Sequence, residues 1–447
     1  MSAHLNVQKL LDACLSGLPA GMPAEALFWS DARRLSRFAN NSIQQNLARE
    51  DGVLRLVVQD GDRLGSASCN HFDGDSLQRL QRTALDAARA GSPCKDLQIL
   101  RSSCETPTHE NTDEGTLNHT PEQKAAALGG TFELARERGF ESSGIFSTAQ
   151  AELAMANSAG LYCHSHSSTA VFSVTMQTPD GSGWAEEQHT AVNQLNVDAV
   201  TREAASICAR AQKPVPIDAG RWTVVLPPAA VTDMVQFLAW MGFGARAFLD
   251  GTCALSGKRG QQLFGENVSL RDDWSHPLLN GRPFDLEGVA RRRVPLVERG
   301  VFIQPVFDLG TAREAGETST GHGHARPNGS GPWPENLVLE PGQQSMDELI
   351  AGTTDGLYVT HFHYTNVVDP MTLTITGMTR DGVFRIRNGK LAEPVHNLRW
   401  TVSLFDFFRN IEALSRDQVL QSRTFGGGAV VPGLRVREFN FSSASSF

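Results

Sequence analysis

The 447-residue sequence has no CxxC pair among its seven cysteines, and no apolar run near the ~20 residues that a membrane span needs. It also has no dense run of Lys or Arg. The cysteines stand at 14, 69, 94, 104, 163, 208 and 253, an odd number that argues against a disulfide framework. They fit a reducing compartment, where most would serve as small buried hydrophobes; the expected location is the cytoplasm. The longest apolar region, 234–248, is interrupted by Gln236 and Arg246, and the first fifteen residues carry Lys9 and Asp12 in an amphipathic pattern unlike a signal peptide. No membrane partner is expected. Forty basic against forty-nine acidic residues give a net charge of −9, which argues against a surface built for nucleic-acid phosphates. Three local gaps matter most: no histidine between His189 and His276, no glutamate between Glu203 and Glu266, and no cysteine after Cys253.

What is present is globular: 40% hydrophobic and 20% charged residues, in a chain long enough for two or three cores. Apolar spacing predicts helices over 5–16, 76–90, 120–139 and 197–212, the third with a Thr120-Pro121 start and a Gly139 stop. Strands are predicted at 26–38, 42–50, 53–59 and 63–69, with turns at Asn40-Asn41, Asp51-Gly52 and Asp60-Gly61. Others fall near 143–150, 160–165 and 170–178, and 92–119 reads as a loop. Two prolines and a glycine in 213–220 mark a domain boundary, dividing the chain into 1–215 and 216–447. Beyond it come a strand at 222–226, an apolar helix to about 248, and hairpin turns at Arg299-Gly300, Asp381-Gly382 and Asn388-Gly389. A glycine-rich loop spans 311–335, and a helix is predicted at 403–414. The fold class is α+β: an N-terminal α/β domain with a mostly antiparallel sheet and flanking helices, then a β-rich, barrel-like domain.

An ordered series of segments carries a family resemblance. It begins with Ser36-Arg-Phe-Ala-Asn-Asn-Ser-Ile-Gln-Gln-Asn46, Gly65-Ser-Ala-Ser68 and Ala156-Asn-Ser-Ala-Gly160. It continues with Asp218-Ala-Gly-Arg-Trp-Thr-Val-Val-Leu226, Ser256-Gly-Lys-Arg-Gly260, Leu296-Val-Glu-Arg-Gly-Val301, Leu337-Val-Leu-Glu-Pro-Gly342, Phe384-Arg-Ile-Arg-Asn-Gly389 and Pro394-Val395. Together these resemble the TldD/PmbA (TldE) peptidase family over nearly the whole chain, and most closely its TldE/PmbA-like member. The resemblance implies two sisters: TldD, a zinc peptidase using a His-Glu-x-x-x-His helix and a C-terminal cysteine, and TldE, a metal-free partner. The pair is linked to cleavage of unfolded peptides and maturation of peptide products.

A zinc peptidase needs three protein ligands and a carboxylate base. In the implied zinc helix, about 229–248, Gln236 and Phe237 stand where His-Glu would, and Met241 where the second His would. The three gaps above remove both histidines, the glutamate and the cysteine whatever the register. No cofactor is therefore expected. The resemblance implies a partner, a TldD-like zinc peptidase subunit in a heterodimer, with a second copy as the alternative, and an unfolded peptide as substrate. His361 and His363 lie two apart on a predicted strand, so both face one side. With Tyr364 and Asn366 they are candidates for the peptide cleft, over which His322 and His324 of the glycine-rich loop would close. Two alternatives stay open: a stand-alone metal enzyme using the His-x-His pairs (His164/His166 is the third), and a homodimeric peptide-binding scaffold. No Gly-x-Ser-x-Gly nucleophile motif or zincin pattern occurs.

Overall fold

Asn40 and Asn41 make the predicted turn, both at positive φ (51° and 57°), joining β1 (Ala24–Ala39) to β2 (Ser42–Asp60). The expected turn at Asp51-Gly52 does not form. β2 runs straight through it, because Asp51 and Gly52 pair in register with Asp31 and Ser30 of β1. The computed structural model describes residues 6–94, 97, 100–326, 328–421 and 428–444.

After α1 (Val7–Ser16), β1 and β2 come β3 (Arg63–Cys69), α2 (Gly74–Ala90), β4 (Thr108–Asn111), α3 (Glu114–Leu117) and α4 (Pro121–Arg138). Then follow β5 (Glu141–Asn157), β6 (Tyr162–Gln177), β7 (Ser182–His189) and α5 (Val197–Arg210). The helices lie where spacing predicts; residue 5, at the edge of the first, is outside the described residues. α4 has a reciprocal capping box between Thr120 and Gln123 and a left-handed Gly139 stop. The segment read as loop, 92–119, holds β4 and α3, with 95, 96, 98 and 99 outside the described residues. The three short strands expected at 143–178 are two long ones, and β7 was not read from the sequence.

The first sheet has the order β3-β2-β1-β5-β6-β4, with β7 also on β6. Its pairs are antiparallel except β4–β6. One face is covered by helices: Ala26, Phe28, Leu54 and Leu56 pack under α1 and α2, and Phe38, Phe146 and Phe172 under α4 and α5.

The second half comprises β8 (Gly220–Leu226), α6 (Pro228–Gly242), α7 (Ala245–Leu249), β9 (Leu270–Asp272), β10 (Val294–Glu298), β11 (Val301–Phe302) and α8 (Leu309–Ala315). It continues with β12 (Asn336–Leu339), α9 (Met346–Ala351), β13 (Asp355–Asp369), β14 (Thr374–Arg387), β15 (Lys390–Pro394), β16 (Leu398–Ser403), α10 (Leu404–Arg409), β17 (Ile411–Gln421) and β18 (Gly428–Ala444). β8, β13, β14, β16 and β18 pair in that order, and β18 returns to β8, so these strands close on themselves. The fold class is thus α+β, with an antiparallel N-terminal sheet and a β-rich, barrel-like second half.

Four local expectations are corrected. The apolar helix breaks after Gly242, since Gly244 leaves to bridge Val306. The helix expected at 403–414 is only α10, because Ile411 enters β17 opposite Val436. Asp381 and Gly382, at φ 54° and 123°, form no hairpin. They sit inside β14, where the β13 register slips between Val359 and His361, and so make a bulge. The glycine-rich segment 311–335 begins in α8 and then packs inward: Ser319, Thr320, His322 and Arg326 are buried. A Cβ on Gly321 would stand 2.6 Å from the Ala290 carbonyl oxygen, which explains that glycine.

Candidate functional site

A cavity of about 520 Å³ opens where the two halves meet. Its walls are Trp184 and Glu186 of β7, Asp233 of α6, residues 361–365 of β13, and Arg380 and Asp381 of β14. The β14 bulge builds its floor. Thr360 Oγ1 lies 2.9 Å from the Arg380 carbonyl and 3.1 Å from those of Asp381 and Gly382, holding the bulge against β13. The Asp381 carboxylate then reaches His361, with Nε2–Oδ2 at 3.3 Å, and accepts 2.5 Å from the Ser182 hydroxyl of the first half. Trp184 lies over the His361 ring, centroids 4.8 Å apart, and donates its indole N–H to Ser173 Oγ at 3.0 Å. Thr365 Oγ1 donates to Asp233 Oδ2 at 2.7 Å and ties α6 to the cavity wall.

His361, His363 and Tyr364 all line this one cavity. Tyr364 is held at φ 53° where the register slips again, is 77% exposed, and rests on His363 with centroids 4.3 Å apart. Asn366 lies just beyond and turns its Oδ1 to the Val367 amide (2.9 Å). Sequence reasoning missed Trp184, Glu186, Asp233, Arg380 and Asp381. Asp233 had a signal, being the one carboxylate in an apolar helix; Asp381-Gly382 had one too, read as a turn.

His322 and His324 are not among the residues lining this cavity. His322 is buried in a charged cluster with Nε2 3.1 Å from Asp272 Oδ1, while Asp272 Oδ2 accepts from the amides of Glu335 (2.8 Å) and Asn336 (2.7 Å). Arg291 pairs with Glu335 beside them, and Arg326 with Glu287 (2.7 Å). Burial pushes the Asp272 pKa up, but His322 and Arg291 outweigh it and hold the carboxyl at about 2. His324 stacks on Trp333 with centroids 3.7 Å apart, and burial depresses its pKa. His164 and His166 lie on β6, facing Glu152 (2.9 Å) and Glu110 (3.3 Å) respectively.

The donor set on α6 does not fit a zinc ion. Gln236, Phe237 and Met241 are all buried, and two of the three carry no ligand atom suited to zinc. Among the described residues no three His, Cys, Asp or Glu are grouped to hold a metal ion. Nor is any described helix long and apolar enough to cross a membrane.

Residues 219–443 match the model of the PmbA/TldA metallopeptidase C-terminal domain. The chain belongs to the PmbA/TldD family. A metalloprotease of Methanothermobacter thermautotrophicus is 25% identical over 226 residues, 50% of this chain and 49% of its own. A zinc metalloprotease TldD homolog of Saccharolobus solfataricus is 25% identical over 209 residues, 44% of this chain and 45% of its own. The chain thus spans about half the length of the curated relatives it matches. Among solved structures, TldE from Thermococcus kodakarensis superposes with a TM-score of 0.85 at 18% identity, covering 97% of this chain and 98% of that one. A Thermotoga maritima protein described as a proposed modulator of a DNA gyrase gives 0.85 at 19% identity, covering 97% and 100%. These two likenesses carry the PmbA/TldD fold across both halves.

Proposed function

We propose that this chain is the TldE/PmbA-like, non-catalytic subunit of a TldD/TldE-type zinc metallopeptidase, and that it shapes the cleft in which unfolded peptides are cleaved or matured. The feature that supports the reading is α6, the helix that the family resemblance equates with the zinc helix of TldD: it carries Gln236, Phe237 and Met241 and has Asp233 engaged with Thr365. Beside it the cavity retains what an extended peptide needs: aromatic surface from Trp184 and Tyr364, and charges of both signs from Glu186 and Arg380. His361, His363 and Tyr364 are its peptide-contacting residues, with Asn366 at the exit. The stand-alone metal enzyme is disfavoured because the two His-x-His pairs of the second half do not meet.

The test is co-purification with a TldD-like chain bearing His-Glu-x-x-x-His, followed by cleavage of an unfolded peptide. The expected result is a stable complex, activity in the mixture only, and about a tenfold loss of kcat/KM on His361→Ala, the effect of truncating one well-packed contact. Cleavage by this chain alone, or no complex with such a partner, refutes the reading.

A further inference from the structure

Asp381 also lines a second cavity, of about 580 Å³, a volume usual for small-molecule sites. Four pieces of chain build it: the turn from β6 to β7, the connection that follows α5, the β14 bulge, and the segment between β15 and β16. They are tied to one another. The Lys213 amide donates to Asp180 Oδ2 at 3.0 Å, the Val215 amide to the Pro394 carbonyl at 2.9 Å, and the His396 amide to the Val215 carbonyl at 3.1 Å. Pro179, Pro214 and Pro394, with the buried Val383 and Val395, give the cavity stiff apolar walls. Its polar groups divide sharply. The acceptors are engaged: Asp180 Oδ1 takes the Thr178 hydroxyl at 3.2 Å, and Asp381 takes that of Ser182 and faces His361. Asn397 Oδ1 accepts from the Thr379 hydroxyl at 3.2 Å, an orientation fixed because Thr379 Oγ1 itself accepts from the Leu398 amide at 2.9 Å. That leaves donors, the Asn397 NH₂ group and the Lys213 ammonium, with no acceptor among the described residues. Lys213 is moreover held at φ 57°, backbone that a lysine rarely adopts, and the Asp180 bond maintains it there.

We propose that this second cavity binds a small carboxylic acid with an apolar body, and that its occupancy is felt at His361 through Asp381. Lys213 and Asn397 take the carboxylate by charge-assisted and ordinary hydrogen bonds, and the proline walls take the body. The C-terminal residue of an apolar peptide belongs to this chemical class. The link to the first cavity is a short chain of contacts: Ser182 lines the second cavity, His361 lines the first, and Asp381 lines both and bonds to each. A ligand that shifts the β6–β7 turn or the bulge therefore moves the Asp381 carboxylate relative to the His361 ring.

The experiment uses the full chain alone, with no partner, so its outcome is independent of the subunit reading above. Calorimetric titration with N-acetyl-leucine should show saturable binding of one molecule per chain. N-acetyl-leucinamide, the same body without the charge, should bind at least about tenfold more weakly, the effect of losing one hydrogen bond between charged groups. Lys213→Met should weaken binding of the acid by a similar factor, and Lys213→Arg should keep it. Lys213 is exposed, so neither variant disturbs the core. At saturation the His361 imidazole resonances should shift in the wild type, and should stay in place in Lys213→Met at the same ligand concentration. Absence of saturable binding overturns the proposal, as does an amide that binds as well as the acid, or a Lys213→Met chain that binds like wild type. Preference for leucinamide, a cation, would assign the cavity the opposite charge and overturn it too. Resonances of His361 unmoved at saturation overturn the link between the two cavities.

Discussion

Asp272 is wholly buried, and its carboxylate is anchored by His322, Arg291 and two backbone amides. Its folded pKa of about 2 lies below the ordinary carboxylate value. Its contribution is therefore fully present above about pH 4 and is lost as pH falls through 2. Asp272→Asn should cost about 3–5 kcal/mol at pH 7, because removing one partner of a buried pair leaves the other uncompensated. In urea melts the gap from wild type should narrow only in the most acidic range. A gap unchanged down to pH 2 would mean the carboxylate's charge contributes nothing. At this scale the sequence was legible where it lacked something: the stretches without histidine (190–275), glutamate (204–265) and, after Cys253, cysteine follow from residue identity alone. It was opaque where function depends on convergence, since Trp184 and His361 are far apart in the chain and meet only because the two halves pack.

Turns were legible by residue type but not by role. Asn40-Asn41, Asp51-Gly52 and Asp381-Gly382 all have turn chemistry, yet only the first reverses the chain. A dipeptide that tolerates positive φ permits a turn, a bulge or plain strand, and the pairing of the flanks decides among them. The β14 bulge is the element on which the cavity floor depends. Gly382 sits at φ 123°, and a Cβ there would lie 2.8 Å from Cγ2 of Ile207 on α5. Gly382→Ala should destabilise the protein by about 1–3 kcal/mol, as expected for a non-glycine residue forced into such backbone. It should also move the Asp381 carboxylate off His361, visible as a shift in the His361 imidazole resonances. Unchanged resonances would separate the bulge from the cavity floor.

The two halves keep largely separate cores, one drawn from residues 224–441 and two from the first sheet and its helices. A small apolar seam joins them, where Phe284 packs among Leu27, Met155, Leu161 and Cys163. We propose that the division at 1–215 and 216–447 is an energetic one, with this seam as its coupling. Phe284→Ala should cost about 3–5 kcal/mol and split a single denaturant transition into two, followed by tryptophan fluorescence and circular dichroism together. One coincident transition in the variant would count against the division.

The ring in the second half closes between β8 and β18, whose partners Val224 and Val436 lie at opposite ends of that half. Pairing across so long an intervening chain is slow, because loop-closure entropy is spent before contacts reward it. During synthesis the second half therefore waits, open-sided, until residues 428–444 leave the ribosome. The first sheet has no such debt: every strand in it pairs with another from residues 24–189. It can be complete while the barrel is still an unfinished curve, so the early-folded half is available as a template against which Phe284 and Asp381 later dock.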